Sequence, residues 1–146
     1  MDFLQEAIKQ AKIAGEKDEV PVGAVIVKNG EIIARAHNQV EELNDPTAHA
    51  EILAIKTACS QLGSKRIPGC ELYTTLEPCP MCAGAILHAR LKSITYAAKD
   101  FKWGADGSIL SFIQSNTFNH HCASEFIPSH EYSESIKQFF KNKRNS

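Results

Sequence analysis

A chain of 146 residues, 43% hydrophobic and 23% charged, fits one folded domain spanning 1–146 and excludes a low-complexity segment. A net charge of −1 lacks the overall basic character common in nucleic-acid binders, and no run approaches the ~18 apolar residues of a membrane helix. Five cysteines, at 59, 70, 79, 82 and 122, are an odd set for a secreted disulfide framework, and no signal-peptide pattern opens the chain; the expected compartment is the cytoplasm.

In chain order, Leu4, Ala7, Ile8 and Ala11 fall at helical spacing, which predicts a helix over 3–14 closed by Gly15. Residues 22–27 read as a buried strand, Asn29-Gly30 as a two-residue hairpin turn, and 31–36 as the return strand. A polar loop over 37–46 leads to a helix over 47–62 stopped by Gly63. A strand over 70–76 precedes a second apolar helix over 77–90, and residues 93–98 make a fourth strand. Residues 101–128 carry no clear period. A last helix from about 131 has Tyr132, Ile136, Phe139 and Phe140 on one face, which would anchor it to the domain. Strands alternating with helices predict a three-layer α/β/α domain, and the hairpin makes its central sheet mixed.

Two segments carry chemistry: His49-Ala50-Glu51 and Pro78-Cys79-Pro80-Met81-Cys82. Each opens a helix that is otherwise almost wholly apolar, so these polar groups enter a buried region and need partners or a function. Cys79 and Cys82, three apart, project from one side of a first helical turn. Two thiolates and an imidazole suit zinc and leave a fourth position for water, whose pKa the metal would lower. Glu51 is then better placed as an acid/base than as a ligand. A redox pair and a closed structural zinc site compete with this reading. The closed site would need a fourth ligand such as Cys59, Cys70, Cys122, His88, His120 or His121. Cys59 and Cys70 read as ordinary buried thiols, and His120-His121-Cys122 as surface or local hydrogen bonding. Beyond Glu134 no acidic residue follows, whereas Lys137, Lys141, Lys143 and Arg144 do; in isolation this run reads as a solvated end.

The pattern His-x-Glu with Pro-Cys-x-x-Cys resembles the cytidine and deoxycytidylate deaminase superfamily, whose zinc and glutamate roles are well described. Within it the chain is most similar to the bacterial tRNA-specific adenosine deaminases. The likeness lies in residues 45–52 and 76–86, in Ala98-Lys99-Asp100, in Gly104-Ala105 and in Gly107-Ser108. It implies a cytidine deaminase-like fold and one zinc per chain held by His49, Cys79 and Cys82, with Glu51 moving protons. It implies hydrolysis of adenosine to inosine at the wobble position of a tRNA anticodon stem-loop. Asn38 matches the asparagine that binds the target base, and Ala50 and Asp100 fall beside it. Lys99, Phe139, Phe140, Lys141, Lys143 and Arg144 become candidate RNA contacts, and a homodimer is expected. Guanine or cytosine deamination of a free base or nucleoside is the alternative activity, and a non-catalytic partner subunit a rival class. The loop with Glu41 and Glu42 is more acidic than an RNA-facing loop of this family would be.

Overall fold

In a computed structural model, which describes residues 1–115 and 117–145, helix α1 (Phe3–Glu16) precedes the hairpin β1 (Gly23–Lys28) and β2 (Glu31–His37). Then follow α2 (Val40–Leu43), α3 (Ala50–Leu62), β3 (Glu71–Leu76), α4 (Pro80–His88), β4 (Ser93–Ala98), β5 (Ala123–Phe126) and α5 (His130–Arg144). The five strands form one mixed sheet in the order β2-β1-β3-β4-β5. The first two pairings are antiparallel and the last two parallel. No helix among the described residues is long and apolar enough to cross a membrane.

Alternation along the strands divides the core in two. On one face Ala24, Ile26, Leu72, Ile94 and Tyr96 pack with Ala54 and Ala58 of α3 and Ile86 of α4. On the other, Ala97 packs with Leu4 and Ala11 of α1 and with Tyr132 and Ile136 of α5. This is the expected three-layer arrangement. The backbone of α1 all but touches β1: a Cβ on Gly23 would lie 2.2 Å from the Ala7 carbonyl oxygen and 2.3 Å from the Ala11 nitrogen. Glycine is therefore required there by proximity, not by its φ angle.

Several boundaries differ from the sequence expectation. Gly15 lies inside α1, which continues to Glu16 before Asp18 turns left-handed at φ 63°. Helix α3 begins at Ala50 and not at Thr47, because the Asp45 carboxylate takes up both the Thr47 N–H (2.8 Å) and its hydroxyl (2.7 Å) in a local turn. Helix α4 is shorter than 77–90, since Cys79 is an extended N-cap and Pro80 supplies the first helical residue. The loop 37–46 contains the short α2, whose first amides, Glu41 N–H and Glu42 N–H, bond the buried Glu19 carboxylate at 3.0 and 2.8 Å. The region 101–128 contains β5, an edge strand exposed along its whole length and so without the apolar signal that marks the others. The hairpin turn is as expected, with Asn29 at φ 52° and Gly30 at φ 79°.

Helix α5 is held by a relay of hydrogen bonds. Gly23 N–H donates to Thr75 Oγ1 at 3.2 Å, the Thr75 hydroxyl donates to the Tyr132 oxygen at 2.9 Å, and the Tyr132 hydroxyl donates to the Pro21 carbonyl at 2.7 Å. With Tyr132 and Ile136 buried, these contacts fix the helix; Phe140 is 42% exposed and does not anchor it. Tyr132→Phe leaves the Thr75 hydroxyl and the Pro21 carbonyl buried without that partner. We expect a loss of about 1–3 kcal/mol, read as a lower urea midpoint at unchanged slope. An unchanged midpoint would remove the relay from the account of stability.

Candidate metal centre and cleft

Helices α3 and α4 begin at the same place. His49 is the N-cap of α3 and Cys79 the N-cap of α4, both extended (ψ 150° and 171°), so each side chain leaves the helix mouth and points away from the turn above. Cys82 sits one turn into α4 and is buried. His49 Nδ1 lies 3.5 Å from Cys79 Sγ and 3.5 Å from Cys82 Sγ, and the three donor atoms lie within 4.8 Å of one another. With Zn–N near 2.05 Å and Zn–S near 2.3 Å at a tetrahedral angle, the N···S separation should be about 3.55 Å. The observed spacing fits a zinc ion at the centre. The other candidate ligands stand apart. His120 Nε2 meets the Leu91 carbonyl at 2.7 Å, and Cys59, Cys70 and Cys122 are free thiols. Among the described residues His49, Cys79 and Cys82 form the one group suited to a metal, so neither a closed four-ligand site nor a disulfide pair is present.

The electrostatics of this cluster follow from burial and from its members' hydrogen bonds. The Cys79 thiol falls to about 4, chiefly through the hydrogen bond from Cys82 and then that with His49, against an opposing cost of burial. Cys82 keeps its proton: the bond to Cys79 and then burial push it up. His49 is raised, mainly by its bond with Cys79. Both helix N-termini add positive potential that favours thiolate.

Glu51 is buried, 4% exposed, with Oε1 unpartnered. Desolvation raises its carboxyl to about 7. Glu51, His49 and Cys79 line a cleft of about 890 Å³. A buried carboxylate oxygen without a partner calls for one, and the cleft that Glu51 lines is where a water or a substrate atom would supply it.

Asn38 also lines the cleft and is buried, with its Oδ1 accepting the Ala50 N–H at 3.1 Å. That bond fixes the carboxamide orientation, so its NH2 is the end left to donate. Ala50 itself is buried beneath, its amide engaged by Asn38. Asp100 lines the cleft with Lys99; its Oδ1 accepts from Lys102 N–H (3.0 Å) and Trp103 N–H (3.1 Å). Of the C-terminal candidates, Phe140 and Arg144 line the cleft, whereas Phe139, Lys141 and Lys143 do not. Phe139 packs edge-on against Phe140, and Lys143 pairs with Asp18 at 2.6 Å. The acidic loop is partly neutralised by its neighbours, with Glu42 bonded to Gln39 and 3.7 Å from Lys17. Neither Glu41 nor Glu42 lines the cleft.

The residue that sequence reasoning missed is Glu77. Its carboxylate, 2% exposed, accepts the N–H groups of Asp100 (3.2 Å), Asp106 (2.9 Å) and Ser108 (3.2 Å), and the Ser108 hydroxyl. A Cβ on Gly104 would come 2.4 Å from that carboxylate. A glutamate set between an apolar strand and an apolar helix was the available signal, overshadowed by the adjacent Pro-Cys-x-x-Cys.

Residues 1–98 match the cytidine and deoxycytidylate deaminase zinc-binding region. The tRNA-specific adenosine deaminase of Aquifex aeolicus is 52% identical over 144 residues, covering 99% of this chain and 95% of that protein. A structure solved in studies of A-to-I editing by tRNA:A34 deaminases at the wobble position of transfer RNA superposes with a TM-score of 0.87. It is 47% identical and covers 92% of this chain and 97% of its own. Guanine deaminase from Bacillus subtilis aligns at a TM-score of 0.66 and 39% identity, covering 99% of this chain and 92% of its own.

Ligation requires Cys82 as thiolate and His49 as neutral imidazole, yet both are shifted towards keeping their protons. Zinc added to the metal-free chain at pH 7 should release at least about one proton per ion, and affinity should fall as pH falls. An indicator dye in weak buffer reads the release, and none would remove Cys82 from the donor set.

Proposed function

Since the chain belongs to the cytidine and deoxycytidylate deaminase family, among its tRNA-specific adenosine deaminases, we propose that it hydrolyses adenosine to inosine at the wobble position of a tRNA anticodon. The observation that carries the chemistry is the buried, unpartnered Glu51 oxygen in a cleft beside the His49, Cys79 and Cys82 donor atoms. The relatives' substrate carries the choice of base.

His49, Cys79 and Cys82 would hold the zinc ion, which would supply Lewis acidity and lower the pKa of a water towards neutrality. Glu51, buried in the cleft beside those donor atoms, would be the group that takes a proton from the attacking water, and its burial favours a carboxyl able to both accept and return a proton. It would pass that proton to the ring nitrogen beside the attacked C6, then take the proton of the new C6 hydroxyl and hand it to the departing amine. Adenosine and water thereby give inosine and ammonia. Asn38 offers its NH2 to an acceptor on the base edge, held in direction by the Ala50 amide. The base must leave any stack to reach the cleft, which an anticodon loop permits more readily than a duplex. A homodimer in the cytoplasm, where tRNA is encountered, belongs to this reading on family likeness and is checked by sedimentation.

The 39% identity to a guanine deaminase favours a second reading, deamination of a free purine base. Zinc-loaded protein incubated with an anticodon stem-loop, followed by nuclease digestion and mass spectrometry for inosine, separates the two. Ammonia released from free guanine or cytosine, without inosine in the RNA, would replace the tRNA reading.

Glu51→Gln should cut turnover by at least ~10²-fold while zinc content and fold are retained, since the carboxyl moves protons without ligating. Loss of zinc in that variant would make Glu51 a ligand. Asn38→Ala should reduce kcat/KM on the stem-loop with zinc retained; unchanged kinetics would leave Asn38 as a brace for Ala50 alone.

A further inference from the structure

The outer wall of the cleft carries two large aromatic side chains in water. Phe101 is 75% exposed and Trp103 66%, and both line the cleft with His49 and Glu51. Large apolar side chains scattered singly are ordinary on a surface, but two within three residues at the mouth of a functional cleft form a patch. Neither ring is packed against another aromatic ring among the described residues.

The backbone that presents them is braced. Asp100 Oδ1 holds the amides of Lys102 and Trp103, Glu77 Oε1 holds the Asp100 amide at 3.2 Å, and Gly104 N–H bonds the Asp100 carbonyl at 2.9 Å. Rings on a fixed backbone bind with little ordering cost. The charge around them is complementary to a polyanion: Lys99, Lys102, Lys137 and Arg144 line the same cleft. Of the carboxylates lining it, Glu51 and Glu77 are buried and Asp100 is engaged by its own loop. Cationic side chains around exposed aromatic faces are the composition that binds single-stranded nucleic acid, phosphates on the cations and base faces on the rings.

We propose that Phe101 and Trp103 form a stacking subsite for an unpaired nucleobase adjoining the one that enters the cleft. The subsite rests on the tRNA-deaminase reading and adds to it a positioning role for the flanking nucleotide. Stacking reads no hydrogen-bond pattern, so the subsite tolerates any base identity at that position.

Trp103 is the sole tryptophan of the chain, so its emission reports the subsite directly. Titration of the zinc-loaded protein with an anticodon stem-loop should quench Trp103 fluorescence in step with binding. Trp103→Ala and Phe101→Ala should each raise KM about 10-fold with kcat within about threefold, and Trp103→Phe should restore most of the loss. An abasic nucleotide beside the target should weaken binding to the wild-type protein and add little to Trp103→Ala. Unaltered emission from a protein that deaminates the stem-loop overturns the subsite and leaves the deaminase reading standing. A smaller sedimenting species in Trp103→Ala alone would place the ring against a second copy of the chain, which also overturns it. A zinc-loaded wild-type protein that neither binds nor deaminates the stem-loop removes the deaminase reading and the subsite together.

Discussion

Everything in the site depends on two helices starting at one point. The first amides of a helix lack partners within it, and their dipoles sum to a positive end. Bringing the mouths of α3 and α4 together makes a small volume of positive potential inside an apolar layer, and His49, Cys79 and Cys82 are the side chains at that mouth. The Cys79 thiolate is stabilised there, and a cation can be held among the three donors. The extended caps are essential to this geometry. A helix that began at Thr47 or Glu77 would have carried its donors around the helix barrel instead of letting them project from its end.

A second buried charge organises the walls as the first organises the floor. Glu77 has no ionic partner among the described residues; its carboxylate is satisfied by amides of the 100–108 segment and by the Ser108 hydroxyl. A carboxylate so satisfied can remain buried without the penalty of an unpaired charge. The loop that carries Lys99, Asp100, Phe101 and Trp103 is thereby wrapped around a point two residues before Cys79. Floor and wall share one strand end, which keeps the relation between metal donors and rim fixed. Gly104 is part of the same device, since any side chain there would displace the carboxylate.

The donor set and most of the sheet were legible in the sequence because their signals are local. Strand 93–98 and the Asn29-Gly30 turn depend on residue types over a few positions, and the pairing of His-x-Glu with Pro-Cys-x-x-Cys depends on helix starts that Pro80 and the apolar runs mark. What was missed is tertiary. The Glu19 bonds to α2 span 22 and 23 residues and the Glu77 bonds 23 to 31, and no period announces them. Strand β5 was illegible because an exposed edge has no buried face to alternate with. The basic run after Glu134 had two readings, and the fold divides it: Arg144 on the cleft, Lys143 paired with Asp18.

The metal donors and Glu51 all lie between residues 49 and 82, whereas the cleft wall comes from Lys99–Trp103 and from α5 beyond residue 130. Synthesis runs from the N-terminus, so the ion-binding part of the molecule leaves the ribosome before the part that encloses a substrate. The donor set is thus synthesised before the far wall of the cleft. The Thr75–Tyr132 bond joins the last-synthesised helix to a strand 57 residues earlier, so the far wall is tied to the sheet only when the chain is nearly whole.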